Sequence, residues 1–506
     1  MGWLNDIYVA LFPERAYRRE AFRQAYDMLR ASYSYDAANP SDRRNVNWYA
    51  QNQSAEYTDR YSRDEIRARA RDLERNSDIM NSVIGAFERN LVGGGYFAQA
   101  KTEDPELNKK IEKAWRKWRK SRNCDITGTQ SLNQMMRMAV QRKKVDGGIL
   151  FIKRYTRDGF VPFKLQTIEV DELDTGTVLP RYEGNTVVGG IEYNQYNKAV
   201  GYYIKQYTFD GVSLRDAVWI DASDVIFYFT KRRPSQLREM SDMAPTISRI
   251  RDINEFMVAV SVKQRIEACL AVFIKRTYPT TGLGRNNKAI GPDGRISYEG
   301  RTISPGMIKE LNAGDEIQVV NPSGQGSDAT SFAKLQQRLI GAGQGISYEA
   351  TSRDMAEATY SSARQGLIED GLTYKKDIEL LMEVLDEIYE TFIISAVLSG
   401  ALDIKDFWQN IETYLSHEWI QEPKPWIDPQ KESSANMTAL QTGQKTYKQI
   451  SAESGRDWRS QIDDIAEVLE YGKGKGVDMG GVIFGQTEKD DSSDNEVGGG
   501  RPSGDE

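Results

Sequence analysis

The stretch TYSSARQG, Thr359 to Gly366, sets two adjacent serines and an arginine behind two acids, Asp354 and Glu357. A serine hydroxyl becomes a nucleophile beside a general base, and an arginine can clamp an anion. The chain has one histidine, His417 in SHEWI, between a helical segment and a Pro/Trp-rich loop, so no Ser-His-Asp set can be argued. A Ser-Lys dyad with Lys375 or Lys376 is the remaining catalytic alternative. Against it stands an architectural reading, in which small residues let helices approach and Arg364 pairs with an acidic neighbour. SFAK, Ser331 to Lys334, fits S-x-x-K, and SDN occurs at 493–495, but no K-T-G completes that set. GAGQG at 341–345 follows a helical pattern where a nucleotide-binding loop needs a strand, and reads as a tight helix crossing or a kink. No G-x-x-x-x-G-K-[ST], HExxH or CxxC occurs. Cys124 and Cys269 are predicted to be reduced and structural, and His417 to be structural.

These groups sit in a 506-residue chain, long enough for several domains, with 39% hydrophobic and 28% charged residues. No apolar run approaches the roughly 18 residues of a membrane helix; TFIISAVLSG at 391–400 is too short. The opening MGWLNDIYVALFP lacks a basic region and a small-residue cleavage site. Asp6 stands where a myristoylation signal needs Ser or Thr, so synthesis in the cytosol and no membrane partner are expected. A net charge of −7 argues against a protein that grips nucleic acid over its whole surface, but not against one that lets it pass.

Periodicity supplies the elements. Residues 1–61 read as N-terminal helices, rich in arginine, followed by an extended, tyrosine-rich arm. A helix is predicted from a Ser62–Glu65 capping box through Ile66, Leu73, Val83, Ile84, Phe87 and Leu91 to the stop at Gly93–Gly95. The basic 105–124 segment carries Trp115 and Trp118 on one side. It reads as a solvated basic face over inward tryptophans, with a nucleic-acid-binding scaffold or a membrane-surface helix as the alternatives. From 146 to 230 the period becomes two: a hairpin around Asp158-Gly159, a second in GIEYNQYNKAVGYYIKQY, and the strand DVIFYFT predict an antiparallel sheet among helices. Helix returns over 243–269, and a small mixed insert at 270–328 separates it from a second helix at 329–350. Because both ends of the insert must meet that pair, it should protrude. A helix over 373–399 buries Ile378, Leu381, Met382, Leu385, Ile388, Tyr389 and Phe392. Residues 431–471 are helical again, and the Gly-rich acidic tail 472–506 is predicted to be disordered.

Six segments in this order carry a resemblance. They are RARARDLERNSDIMNSVIGAFERNLVGGG (67–95), KKVDGGILFI (143–152), FTKRRPSQLREMSDMAPTISRIRDIN (229–254), GISYEATSRDMAEATYSSARQG (345–366), EWIQEPKPWIDPQKESSANMTALQTG (418–443) and SAESGRDW (451–458). Over about residues 13 to 470 the chain resembles the lambda-type portal proteins of tailed bacteriophages. It departs from the pattern at Gly147-Gly148, where Gly-Glu is frequent.

The resemblance implies a mainly helical α+β fold: a wing (62–242, with a return over 367–430), a two-helix stem (243–269 and 329–350), an inserted α/β clip (270–328), a tunnel-loop region (351–366) and a helical crown (431–471). It implies a ring, usually of twelve copies, at one capsid vertex of a virion assembled in the host cytoplasm. The ring would be a head-to-tail connector, with no cofactor and no catalysis. Double-stranded DNA would pass through the channel during packaging and ejection. The large terminase subunit and a head-tail adaptor would dock on clip candidates Arg285, Asn286, Lys288, Asp293 and Arg295, and the capsid and scaffold proteins would surround the ring. The DNA-facing candidates are Arg353, Asp354, Glu357, Tyr360, Ser361, Ser362 and Arg364. Their charges balance, as a conduit requires, because each neutralised phosphate adds affinity that would slow passage. Arginine-rich 67–75 and acidic 379–390 are candidate faces for pairing between copies. The alternatives are a serine hydrolase using Ser361 or Ser362, and a scaffold binding nucleic acid through 109–122.

Overall fold

The computed structural model describes residues 12–31, 43, 45, 47–50, 52–176, 178–268, 272–276, 315–319, 326–422 and 429–477. Two units divide the chain, Met1–Thr58 and Asp59–Glu506. In the first, helix α1 (Pro13–Ala31) opens on a proline with Glu14 in its first turn, and Arg18 pairs with Glu14 at 3.2 Å. Residues 32–42 of the expected arm lie outside the described residues, and its end is a short helix, α2 (Ala55–Asp59).

The second unit begins with α3 (Arg63–Asn76) and α4 (Asp78–Leu91), where one continuous helix was expected. The Ser62 capping box does not form: Ser62 has helical backbone, and its side chain caps nothing. Ser77 is the residue with extended backbone, and its Oγ accepts from Met80 N at 3.3 Å, which breaks the helix in two. Strand β1 (Tyr96–Ala100) follows. Then α5 (Pro105–Trp118) starts on Asp104, whose carboxylate accepts from Glu106 N, with Pro105 at the first position. After the turn α6 (Ser121–Cys124), helix α7 (Leu132–Asp146) opens with a complete Ser131/Gln134 capping box. It ends at Gly147, whose φ is 95° and where a Cβ would stand 2.5 Å from the Met240 backbone, so a side chain is excluded.

The expected single sheet is two. Strands β2 (Gly148–Tyr155) and β3 (Phe163–Ile168) form the hairpin over Gly159. The second sheet is β4 (Thr186–Val188), β5 (Ile191–Tyr193), β6 (Ala199–Ile204) and β7 (Val218–Asp221), in that order. The DVIFYFT strand, β8 (Val225–Phe229), leaves that neighbourhood and pairs with β2, giving β3-β2-β8. Strand β2 is apolar over Ile149–Ile152 because both its faces are covered there. Ile149 and Phe151 join the main helical core, while Leu150 and Ile152 join a second core with Ile191, Tyr202, Ile204 and Ile220. Gly148, in place of the frequent Glu, leaves room for Phe227, Phe229 and the Tyr228 carbonyl, all 3.0 Å from where a Cβ would stand.

Helix α8 (Ile247–Ala268) and α9 (Gly326–Gln344) run antiparallel: Thr246 meets Gln344, Arg249 meets Gln336, and Phe256 meets Phe332. Between them β9 (Val272–Arg276) pairs with β10 (Asp315–Val319), joining the LAVFIKR and DEIQVV segments. The remainder of the insert lies outside the described residues, with Cys269 and the candidates Arg285, Asn286, Lys288, Asp293 and Arg295. After α10 (Tyr348–Ser352) comes α11 (Tyr360–Leu398), 39 residues and about 58 Å long at ~1.5 Å per residue. Its predicted stripe is in the main core, with Leu381, Leu385, Ile388, Tyr389 and Phe392 fully enclosed. Then come α12 (Ile411–Leu415) and β11 (His417–Gln421), which pairs antiparallel with β1. The last helices among the described residues are α13 (Pro429–Gln441), α14 (Tyr447–Glu453) and α15 (Trp458–Gly474). The tail from 478 lies outside the described residues.

Burial decides the basic helix in favour of the core. Trp115 and Trp118 are enclosed and stack on each other at 5.1 Å, with Tyr389 and Phe392 at 5.3 and 5.2 Å from Trp115. A buried ionic cluster joins α7 to α11. Lys143 Nζ lies 2.8 Å from Asp242 and 2.9 Å from Asp377; Lys144 Nζ lies 3.3 and 3.0 Å from the same two, and Arg232 adds a pair to Asp242 at 2.8 Å. Arg67 and Arg71, offered above for contacts between copies, are spent inside the subunit on Asp171, Glu239, Asp146 and Glu169. On the acidic side, Glu387 pairs with Lys153 and Asp386 with His417.

Candidate functional site

The opening stretch is a helix start. Thr359 has extended backbone and accepts from Ser362 N at 3.3 Å, while Ser362 Oγ accepts from Thr359 N at 2.9 Å, a reciprocal cap on α11. That corrects the expectation for these serines: Ser361 and Ser362 are exposed rather than packed between helices, and the Ser362 hydroxyl is engaged in the cap. Arg364 is exposed on the next turn and makes no ion pair among the described residues. Thr359→Ala should therefore weaken the first turn of α11 by about 1 kcal/mol, read as faster amide exchange at residues 361–363 with no change elsewhere.

Only residues 353–359 of the expected 351–366 loop are non-helical. The entry to the loop is clamped to α11. Helix α10 is capped by Ser347, whose backbone N and Oγ both donate to the buried Asp370 carboxylate on α11 at 2.7 Å. Thr373 Oγ1 donates to the Gly345 carbonyl at 2.6 Å. Gly341 lies where a Cβ would stand 2.7 Å from Ile346 O and Thr351 Oγ1, and Gly343 where one would meet Thr246, so GAGQG is a close crossing as read above. Arg353 then turns the chain out with a left-handed φ of 59°.

Within the loop, Tyr348 OH donates to Asp354 Oδ2 at 3.1 Å, and Ala356 N donates to Asp354 Oδ1 at 3.0 Å. The Ala356 amide and the Tyr348 hydroxyl hold the Asp354 carboxyl below its usual range. Lys334 of α9 reaches Glu357 at 2.6 Å, tying the loop to the helix pair. Lys334 also alters the balance read from sequence. Arg353, Arg364 and Lys334 against Asp354 and Glu357 give three cations to two anions at this end. The side chain of Tyr360 is not among those described.

Lys334, Asp370, Thr359 and Tyr348 were missed as participants. Thr359 had a local signal, a Thr three residues before a Ser, and Tyr348 lies six residues from the Asp354 it bonds; Lys334 and Asp370 are brought in by tertiary contact alone. His417 is structural as expected. Its ring nitrogens lie 2.7 Å from Leu415 O and 3.0 Å from Asp386 Oδ1, and the ring sits 4.1 Å from that of Tyr389. Burial lowers its pKa, but the Asp386 hydrogen bond and the Leu415 carbonyl outweigh this and raise it. Cys124 is buried, and burial pushes its thiol up to about 12, the behaviour of an inert core thiol.

A concavity of about 990 Å³ lies between β1, α5 and α15 and is lined by Gln99, Lys101, Glu112, Arg116, Asp457 and Trp458, among others. It mixes both signs of charge. Among the described residues no group of His, Cys, Asp and Glu has a metal-binding arrangement, and no helix is long and apolar enough to cross a membrane.

Two antiparallel helices, α8 and α9, thus lead to a clamped loop. Residues 41–376 match the family described as phage portal protein, lambda family. The chain is similar to the probable portal protein of Halomonas phage phiHAP-1, 24% identical over 450 residues that cover 85% of this chain and 86% of the relative. It is also similar to portal protein B of Escherichia phage lambda, 20% identical over 80% of this chain and 83% of that one. Among solved structures, a chain in the neck of a native GTA particle computed with C12 symmetry is 13% identical, covers 76% of this chain and 91% of its own length, and has a TM-score of 0.42. The chain belongs to the lambda family of phage portal proteins, and its role is the portal, or connector, role.

Proposed function

We propose that copies of this chain close into a ring at one capsid vertex of the virion and that double-stranded DNA passes along its axis inward and outward. In this reading α8 and α9 are the stem, residues 270–328 the clip, 353–359 the tunnel loop, the two sheets with α3–α7 the wing, and α13–α15 the crown. The terminase and the head-tail adaptor meet the clip at Arg285, Asn286, Lys288, Asp293 and Arg295, while the capsid and scaffold proteins hold the ring from outside. The observation that carries the reading is the clamped loop 353–359, set between an antiparallel helix pair and the 39-residue helix in a chain of the portal family.

The loop's chemistry suits passage rather than capture. Six to ten neutralised phosphates would pin a duplex, since each releases counterions on binding. Here Lys334 is already paired with Glu357, and Asp354 adds an anion beside Arg353. The assembled protein should bind duplex DNA more weakly than micromolar at physiological salt, measured by fluorescence anisotropy; sub-micromolar binding would contradict the conduit. Negative-stain images of the purified protein test the ring itself. Round particles with an axial hole are expected, and solid particles of one copy would sink it.

A further inference from the structure

The concavity between β1, α5 and α15 has an apolar wall and a basic rim. Phe97 and Ile462, 40% and 43% exposed, line it together with Trp458. Leu469, seven residues on from Ile462 and so on the same face of α15, is exposed as well and continues the apolar surface. The volume of about 990 Å³ lies within the range of about 300–1,000 Å³ typical of sites that take a ligand. Lys109 and Arg116 of α5 line the same groove. At about 100° per residue, Lys113 falls within about 60° of both, so the three form one exposed stripe, widened by Lys110 and Lys117. Lys110 and Lys113 make no ion pair among the described residues, and Lys109 and Arg116 reach Glu106 and Glu112 only at 3.6 and 3.4 Å. Asp463 and Asp464 stand on the opposite wall, so a negative occupant is repelled by α15 and drawn to α5.

The sequence that follows α15 fits both parts. The helix ends in a turn where Val477 N donates to the Gly472 carbonyl at 2.9 Å and Gly476 has a left-handed φ of 74°, the geometry that turns a chain off the helix axis. Beyond the turn come Val482, Ile483 and Phe484, and then Glu488, Asp490, Asp491, Asp494 and Glu496, interrupted by the single base Lys489. Gly474 lies 12 residues past Ile462, or ~18 Å along α15, and the nine residues from 474 to 483 span up to ~30 Å when extended. The apolar triplet therefore reaches Ile462 of its own copy, and the acids that follow it arrive beside α5. We infer that residues 482–484 fold back into the groove of the same copy and that the acids at 488–496 lie along Lys109, Lys113 and Arg116, so that this segment straps α15 to α5. The strap is a contact within one copy and does not depend on the ring reading.

The test is limited chymotrypsin digestion of the full-length protein, with cleavage after Phe484 followed by mass spectrometry as release of residues 485–506. A docked Phe484 is cut only when the strap opens, so Ile462→Glu, at an exposed position, should speed that cleavage at least ~10-fold with an unchanged far-UV circular dichroism spectrum. Ile483→Asp reads the same contact from the segment's side should Ile462→Glu misfold. Lys109→Glu with Lys113→Glu should speed the cleavage about 3-fold, as exposed ion pairs contribute modestly. Raising NaCl from about 50 to about 500 mM should speed it in the wild type but not in that variant. Wild-type cleavage as fast as in Ile462→Glu and Ile483→Asp would overturn the strap. So would protection that appears only when duplex DNA is added, or only at concentrations where copies associate, because the groove would then belong to that occupant. Protection in a protein that never assembles would keep the strap and sink the ring, so the two readings fail separately.

Discussion

Asp242→Ala is expected to lower the stability of the subunit by about 3–5 kcal/mol, the cost of leaving a buried charge without its partner. Asp242 is 7% exposed and faces Lys143, Lys144 and Arg232; once it is removed, two enclosed ammonium groups share Asp377 alone. Asp242→Asn separates charge from volume, and should lose most of the same stability. The cluster also sets a direction with pH. Burial pushes the Asp242 carboxyl up, but the charges of Lys144 and Lys143, the hydrogen bond from Lys143 and the charge of Arg232 outweigh it and hold the pKa at about 2. An unfolded aspartate titrates near about 4, so the stabilisation is complete above that pH and is lost as pH falls through about 2. Urea midpoints at pH 7 and along an acid series measure both effects. A variant with the wild-type midpoint at pH 7 would mean that the cluster holds nothing together.

Trp118→Ala should cost a similar amount, about 3–5 kcal/mol. The indole is fully enclosed, stacks on Phe163 at 5.2 Å and donates to the Phe163 carbonyl at 2.8 Å, so truncation leaves a cavity and an orphaned acceptor together. Trp118→Phe keeps most of the volume and should cost about 1–2 kcal/mol, which isolates the hydrogen bond and the lost ring area. Lys110→Ala and Lys113→Ala, on the exposed side of the same helix, should stay within about 0.5 kcal/mol. This contrast separates the two readings of the basic helix. If its purpose were to hold nucleic acid, the lysine changes would weaken DNA retention while the tryptophan changes left stability alone.

The period-2 and period-3.6 patterns fixed which segments are strands and helices because those patterns are local. The β2–β3 hairpin over Gly159, the apolar face of α11 and the inward tryptophans were all legible in this way. Local signals misled where two candidates competed. Ser62 with Glu65 has the capping spacing, yet Ser77, with no such partner, is the residue that caps, because the α4 face must turn to reach the core. The start of α11 was set too late by 13 residues, since its first turns are polar and carry no stripe facing the core.

By itself, the order of six segments along the chain determined the family, and composition ruled out a membrane helix, because both depend on which residues follow which. Tertiary structure alone decided what those residues touch. Asp370 reaches back 23 positions to hold the loop entry, Lys334 crosses 23 to pair with Glu357, and Lys143 spans 234 to reach Asp377. Charge pairs and hydrogen bonds depend on distances of about 3 Å in space, and separation in sequence carries no information about them until the helices that bear the two ends have packed.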